Sequence, residues 1–391
     1  MKILFITSRN ILTTCGELRL IKNRAISFFE DYQIKTDFLV CRGDKYKNKS
    51  REDIGAESTL EEFLYPQNNI FKMKKQQKKL KKRIFELLKQ KDYSAVVVSG
   101  NLVLSLCKQI KRNFQQVKLI IDVHGAVEEL IEFKNKGFFG NIVRSAIYKI
   151  FKTQEKKYFH FADAFFVVSK ALKEYVIQEY NVAEKKFFIV PCAQSNVVLK
   201  FDEKVKSRNE ARKRYGIAEE EKVFVYSGGV SPWQCIEESV ELFNKIAMRL
   251  NNCKMLLLSG DKTAVEKYAS EKIIVDSLQY SAVNSTICAG DFAFLLRKDC
   301  VTNNVAYPNK FIEYVQSGMK IIATPYVKDV AEQIDEYNLG VVIEDFNDEP
   351  ILNLLMNSEG YMLDKNNRQE LLNNVNFCNR LLPCVKFLRG E

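Results

Sequence analysis

Lys310 and Glu313 stand three residues apart in the segment Tyr307-Pro-Asn-Lys-Phe-Ile-Glu-Tyr-Val-Gln-Ser-Gly318. Pro308 suits the first turn of a helix and Gly318 the position just past its end. The pair then shares one helical face. A lysine near a helix N-terminus, with Asn309 beside it, can meet a phosphate together with the unsatisfied backbone N–H groups. A glutamate one turn on can accept hydrogen bonds from a ribose diol. The same spacing also serves an exposed ion pair. Upstream, Tyr226-Ser-Gly-Gly-Val-Ser-Pro-Trp-Gln234 offers Gly228 and Gly229, which let backbone approach a phosphate. Arg297 follows the apolar run Asp291–Leu296 and precedes Lys310 by one loop. It is a third candidate for an anion, or equally a solvent-facing loop arginine.

The first half offers fewer chemical groups. His124 lies in Asp122-Val-His-Gly125, and the chain has only two histidines, which excludes a site built on a histidine cluster. A lone histidine is more often structural than catalytic, but a place after a strand with glycine beside it raises His124 above that background. Glu128 and Glu129 follow. Gly16, in Cys15-Gly-Glu17, lies between a first strand and a helix; an ordinary turn reads the same way. Ser259 and Gly260 follow another strand and edge the same region as Gly228.

These residues need elements to hold them. Short apolar runs at Lys2–Thr7, Thr36–Val40, Ala95–Ser99, Lys118–Asp122, Ala164–Ser169 and Phe187–Val190 read as strands. So do Lys222–Tyr226, Lys254–Leu258, Lys272–Val275, Asp291–Leu296, Lys320–Ala323 and Gly340–Ile343. Most are continuous rather than alternating, as in strands buried on both faces of a parallel sheet. Helical patterns such as Leu18–Tyr32, Ile236–Leu250 and Lys310–Ser317 lie between them. This alternation predicts an α/β chain with two Rossmann-like domains facing a central cleft; the alternative is one larger α/β fold with insertions. The polar stretch Gln194–Glu221 reads as the linker. The expected domains are 1–200 and 201–363, with 364–391, two helical patterns broken at Pro383, packing back on the first.

The 391 residues hold 46% hydrophobic and 28% charged side chains, the balance of a globular protein. No apolar run reaches the roughly 18 residues of a membrane span, and the N-terminal apolar run reads as a strand, too short for a signal peptide. The ten cysteines form no C-x-x-C pair; they predict neither a zinc site nor a disulfide framework, and a reducing, cytoplasmic setting.

Net charge is +11 and unevenly placed. Residues Lys72–Lys91 hold ten Lys or Arg against one acid, Glu86, a local net of nine positive charges. Met73, Leu80, Ile84, Leu87 and Leu88 fall near helical spacing, so this is a basic amphipathic helix. It can lie on an anionic membrane or turn its apolar stripe to the core. A second stretch, Lys134–Lys157, interleaves basic residues with Phe138, Phe139, Ile142, Val143, Ile147, Tyr148, Ile150 and Phe151. Together they point to an anionic membrane surface; aromatic interleaving also suits single-stranded nucleic acid, although the sequence holds no RNA-binding motif and no nucleic acid is expected.

The Pro-x-Lys-x-x-Glu-Tyr helix of 308–314, ending at Gly318 and leading into Lys320-Ile-Ile-Ala-Thr-Pro325, resembles the donor-binding signature of family-4-like glycosyltransferases of the GT-B, two-Rossmann fold. The resemblance is specific in the second half of the chain and loose in the first. It implies that Glu313 grips the ribose of a nucleotide-diphosphate sugar, with Asn309, Gly228, Gly229, Gly16, Ser259 and Gly260 around the donor. It places Lys310 by the diphosphate and His124 by the donor sugar. Relatives carry an arginine and a lysine where Gly229 and Gln234 stand here, and Arg297 is the substitute. The resemblance further implies a retaining reaction with no metal or other cofactor. The expected acceptor is lipid-linked, at the cytoplasmic face of the membrane, in capsule or O-antigen synthesis. A nucleotide-sugar epimerase of the same fold and a non-enzymatic lipid- or RNA-binding protein are the alternatives.

Overall fold

The computed structural model describes residues 1–8, 16–42, 59–64, 70–133, 137–192, 201–344, 346–357 and 365–391. They form two compact units, Met1–Pro191 with Asn376–Glu391, and Cys192–Val375.

Unit 1 contains β1 (Lys2–Thr7), β2 (Lys35–Arg42), β3 (Thr59–Leu64), β4 (Ala95–Ser99), β5 (Lys118–Val123), β6 (Ala164–Val167) and β7 (Lys186–Ile189). They pair in the order β3-β2-β1-β4-β5-β6-β7, every neighbour parallel. Unit 2 contains β8 (Lys222–Ser227), β9 (Cys253–Leu258), β10 (Ile273–Asp276), β11 (Phe292–Leu295), β12 (Lys320–Ala323) and β13 (Gly340–Val342). These run β10-β9-β8-β11-β12-β13, again all parallel. The helices are α1 (Gly16–Glu30), α2 (Ile70–Gln90), α3 (Ser105–Asn113), α4 (Glu129–Glu132), α5 (Gly137–Tyr158), α6 (Lys170–Tyr180), α7 (Phe201–Arg214) and α8 (Ile236–Arg249), then α9 (Lys262–Val265), α10 (Tyr280–Ile287), α11 (Val301–Asn304), α12 (Asn309–Ser317), α13 (Lys328–Glu336), α14 (Glu349–Asn357), α15 (Lys365–Val375) and α16 (Phe377–Arg389).

Two Rossmann-like α/β units are thus present. The apolar runs form strands because both faces of each sheet are covered. β4 is buried at every position, and its valine run suits a pleated, enclosed surface. In unit 2, Phe224 stacks on Phe292 and Phe294 with ring centroids 5.1 and 5.6 Å away. Both strand orders reverse beside the first strand, at β1/β4 and at β8/β11. Ligands of such sheets bind beyond the carboxyl ends at that reversal.

Four expectations change. The units divide at 191/192 and 375/376 rather than at 200/201 and 363/364; α15 belongs to unit 2 and packs on α12. Of the expected linker, 201–214 is α7. Its polar face is explained by Arg208 and Arg212, which reach Asp291 at 2.5 and 2.8 Å, while Asp291 also accepts from Val223 N at 2.8 Å. The C-terminal break falls at Asn376, whose side chain caps α16 by accepting from Asn379 N at 2.7 Å, and α16 runs through Pro383. β3 was not expected: Thr-Leu-Glu-Glu-Phe-Leu is an edge strand whose two glutamates hide the apolar pattern.

The basic helix α2 turns its apolar stripe inward. Leu80, Ile84, Leu87 and Leu88 are buried, so this stripe cannot insert into lipid, which corrects that half of the expectation for Lys72–Lys91. Its exposed charges include Lys75, Lys78 and Lys79, while Arg83 is paired to Glu61 at 2.6 Å. The side chains of 71–74 lie outside the described residues, as do Lys134 and Lys136 and the side chain of Phe138. In α5, by contrast, Phe139, Ile142, Val143 and Ile150 are exposed. Their spacing of three and four residues makes one stripe, beside exposed Lys149, Lys156 and Lys157. Among the described residues no helix is long and apolar enough to cross a membrane.

Candidate functional site

In unit 2 the site gathers at the β8/β11 reversal. Pro308 occupies the N-cap of α12 rather than its first turn, so the helix begins at Asn309. At its other end Gly318 has φ 87°, and its N–H bonds the carbonyls of Tyr314 and Val315, closing the helix by a left-handed cap. Lys310 and Glu313 are only 9% and 7% exposed, which excludes an exposed ion pair.

Tyr314, the residue after Glu313, fixes the geometry. Its hydroxyl accepts from Ser227 N at 2.9 Å and lies 3.3 Å from Ser227 O. The end of β8 is thereby tied to α12, and Gly228 is brought against Lys310. A Cβ at Gly228 would lie 2.5 Å from Lys310 Nζ and 2.8 Å from Gln234 Oε1, with φ at 157°. Any side chain there would push the ammonium aside.

Lys310 Nζ donates to Gln234 Oε1 at 2.7 Å and lies 4.6 Å over the Tyr226 ring. Arg297 Nη1 donates to Leu296 O at 2.7 Å and reaches Gln234 O at 3.4 Å. Gln234 therefore touches both cations from the position where the resemblance leads one to expect a lysine. Burial pulls the Lys310 ammonium well below its ordinary value, and Arg297 adds to the shift; Arg297 is likewise lowered by its own burial. Two buried cations side by side favour the approach of an anion.

The remaining donor-side candidates flank this cluster. Gly229 O accepts from Tyr226 OH at 2.7 Å. Gly228 N bonds Leu258 O at 2.9 Å, setting Ser259 and Gly260 on the neighbouring strand end. Ser259 Oγ accepts from Asp261 N at 3.2 Å, and a Cβ at Gly260 would meet nothing within 4 Å.

Unit 1 carries a separate crevice at its own reversal. Gly16 opens α1. Ser99, Asn101, His124, Glu17, Glu129 and Glu155 are among the residues that line a cavity of about 290 Å³. The anchor beneath it is Arg24, fully buried. Its guanidinium donates to Asp122 Oδ1 at 2.6 Å and to Val190 O at 3.0 Å. Burial would raise the Asp122 carboxyl, but Arg24 and His124 overcome it and hold it at about 2. The second Asp122 oxygen lies 3.0 Å from His124 Nε2, and Ser99 Oγ lies 3.2 Å from the same nitrogen. Nε2 thus faces a carboxylate and a hydroxyl oxygen. His124 Nδ1 is buried with no hydrogen-bond partner.

Glu128 does not serve this cavity. Burial works to raise its carboxyl, but hydrogen bonds from Lys152 (2.6 Å) and Tyr175 (2.5 Å) prevail and lower it. Sequence reasoning noted Gln234 only as a departure from the family pattern and missed Tyr314, Arg24, Asn101 and Glu155. Of these four only Tyr314 left a signal, its place beside Glu313. Among the described residues, no three His, Cys, Asp or Glu side chains converge as a metal-ligand set, and Cys107, Cys235, Cys253, Cys288 and Cys384 are buried thiols.

Residues 39–193 match the family described as Glycosyltransferase Family 4. No curated protein sequence matches the chain. Among solved structures, sucrose-phosphate synthase from Thermosynechococcus elongatus superposes with a TM-score of 0.71 at 13% identity, over 100% of this chain and 98% of that one. WaaG, a glycosyltransferase involved in lipopolysaccharide biosynthesis, gives 0.68 at 14% identity over 100% of both chains. A trehalose-6-phosphate protein from E. coli, bound with UDP-2-fluoro glucose, gives 0.66 at 8% identity over 100% and 99%. These likenesses show the two-Rossmann fold, and the family match covers most of unit 1. The chain has the two-Rossmann GT-B fold, and its residues 39–193 resemble Glycosyltransferase Family 4.

Proposed function

We propose that the enzyme moves a sugar from a nucleotide-diphosphate donor to a glycan acceptor with retention of configuration. The observation that carries this reading is the buried cluster of Lys310, Arg297 and Gly228 with Glu313 one turn along α12. Lys310 and Arg297 would face the departing diphosphate and stabilise its charge as the glycosidic bond breaks. Glu313 would accept from the ribose diol. The acceptor hydroxyl would pass its proton to a donor phosphate oxygen, a scheme that asks for no strong protein base.

The acceptor is proposed to be lipid-linked and met at an anionic membrane surface, as in surface-polysaccharide synthesis. The exposed stripe of α5 supports this, with its flanking lysines and with α2 adding charge alone.

The test is a thermal-shift screen of wild type and Glu313→Ala against UDP, GDP, CDP and dTDP and their common sugars. A shift with one nucleotide, lost in the variant, is the expected result and names the base. No shift with any nucleotide would overturn the donor site.

A further inference from the structure

α5 presents two faces of opposite kind. Its inner face carries Arg144, Tyr148, Lys152 and Glu155, at the three- and four-residue spacing of one helical stripe. Arg144 donates through Nε to Leu130 O and through Nη2 to Glu129 O, both at 3.0 Å. Tyr148 and Lys152 reach Glu128 Oε1 at 3.3 and 2.6 Å, and Tyr175 of α6 donates to the other oxygen at 2.5 Å. Glu155 accepts from Asn101 Nδ2 at 3.0 Å. One helix thus holds both the loop that runs from His124 into α4 and the loop that follows β4. These two loops line the unit 1 cavity.

The outer face carries Phe139, Ile142, Val143 and Ile150, all exposed, with Lys149, Lys156 and Lys157 alongside. Apolar groups within a basic border match an anionic bilayer. The stripe exists only while α5 is helical, because unwinding scatters its members. The same unwinding releases Arg144, Tyr148 and Lys152 from the loop. A bilayer that binds the intact helix and not the opened one therefore draws the loop toward its held arrangement. We propose that Arg144, Tyr148 and Lys152 are positioning residues, through which an anionic membrane on the outer face of α5 tightens the loop carrying His124. The crevice is then firmest where a lipid-linked acceptor is met.

The inference rests on the membrane reading and adds a consequence to it. Hydrogen exchange read by mass spectrometry on the full chain tests it, with and without vesicles of phosphatidylglycerol and phosphatidylcholine in equal parts. The reporters are amides of α4, where Ile131 and Glu132 N–H bond Glu128 O at 2.8 and 2.9 Å. With lipid at about ten times its dissociation constant, their exchange should slow roughly tenfold. Vesicles of phosphatidylcholine alone should leave it unchanged. The double variant Arg144→Met, Lys152→Met should exchange faster in solution and show no slowing even when fully sedimented with vesicles. Lys152→Arg should keep the response. Lys149→Met, which removes the same charge from the outer face, should bind vesicles more weakly yet slow like wild type once bound.

Wild type that sediments with the vesicles but exchanges α4 at its solution rate would overturn the proposal. So would equal slowing in the double variant, which would mean that lipid covers α4 directly. Failure to sediment would sink the membrane reading and this one with it, whereas sedimentation without slowing sinks this one alone. Protection of the β4 amides, read in the same digest, reports whether a variant is folded. If the double variant is not, Tyr148→Phe with Tyr175→Phe removes two hydroxyls from Glu128 and should cut the slowing well below that of wild type. Unchanged slowing there would also overturn the proposal.

Discussion

Both crevices sit where a parallel sheet reverses its strand order, yet they carry opposite chemistry. Beyond β8 and β11 the buried groups are cations, Lys310 and Arg297, bridged by a glutamine. Beyond β1, β4 and β5 they are His124, whose Nδ1 has no partner, and the Glu155 carboxyl. Topology chooses where a site stands, while the loops and the first turns of the helices choose its charge. The unit 1 crevice also spends a buried ion pair, Arg24–Asp122, on the state of one imidazole. Unit 2 spends a tyrosine hydroxyl on the position of one ammonium.

The comparison breaks most severely at Arg24. Arg24→Ala leaves the buried Asp122 with only His124 beside it, so stability should fall by about 3–5 kcal/mol in urea unfolding. Lys310→Ala, in the other crevice, should leave the urea midpoint close to wild type or raise it, because a buried cation is removed rather than orphaned. A midpoint loss as large as that of Arg24→Ala would end the distinction.

Next in size is the pH response of Glu155. Burial raises its carboxyl from 4.5 to about 7 against the pull of Tyr180 and Asn101. Between those values the native state holds a proton that the unfolded chain has released. Stability therefore falls as pH rises from 4.5 to 7 and is level above. The loss is about 3 kcal/mol, and Glu155→Gln should flatten that part of the profile. Unfolding at pH 5 and pH 8 would decide it, and a profile unchanged in the variant would remove Glu155 as its source.

Lys310 predicts the reverse linkage. Its folded value lies below 10.5, and a bound diphosphate would restore it. Nucleotide binding should take up protons above the free enzyme's Lys310 value, measured by calorimetry in two buffers of different ionisation enthalpy. Lys310→Met should abolish the uptake and weaken binding by about 1.5–3 kcal/mol. Uptake that persists in the variant would reassign it.

The smallest effects concern the surface. Ile142→Ser or Val143→Ser should each cost about 1 kcal/mol of binding to anionic vesicles, at low and high salt alike. Lys78→Gln in α2 should cost a similar amount at low salt and almost nothing at high salt. Equal salt dependence for both helices would erase the contrast drawn between them.

Much of this was legible in residues. Continuous apolar runs such as Ala95–Ser99 announce enclosed parallel strands, and Lys310–Glu313 announces itself by spacing and flanking Pro308 and Gly318. Glu155 was hidden because one acid among lysines reads as surface charge; only the fold of α5 turns it inward. Arg24 and Asp122 are 98 residues apart, and no local pattern joins them. α7 was mistaken for a linker because its burial is carried by arginines reaching one aspartate, not by an apolar stripe. α2 and α5 share a composition and differ in which face the core claims, which depends on long-range packing.

α16 has a consequence for how the molecule is made. Unit 1 is built from residues up to 191 and closed by α16, which packs on α1 and β7, with Phe387 5.6 Å from Phe188. The chain passes through the whole of unit 2 in between. During synthesis unit 2 can complete its sheet while α1 and β7 still lack their cover. The first unit begun is thus the last one finished, and its apolar flank waits exposed until residue 389 has been made, a window in which aggregation competes with folding.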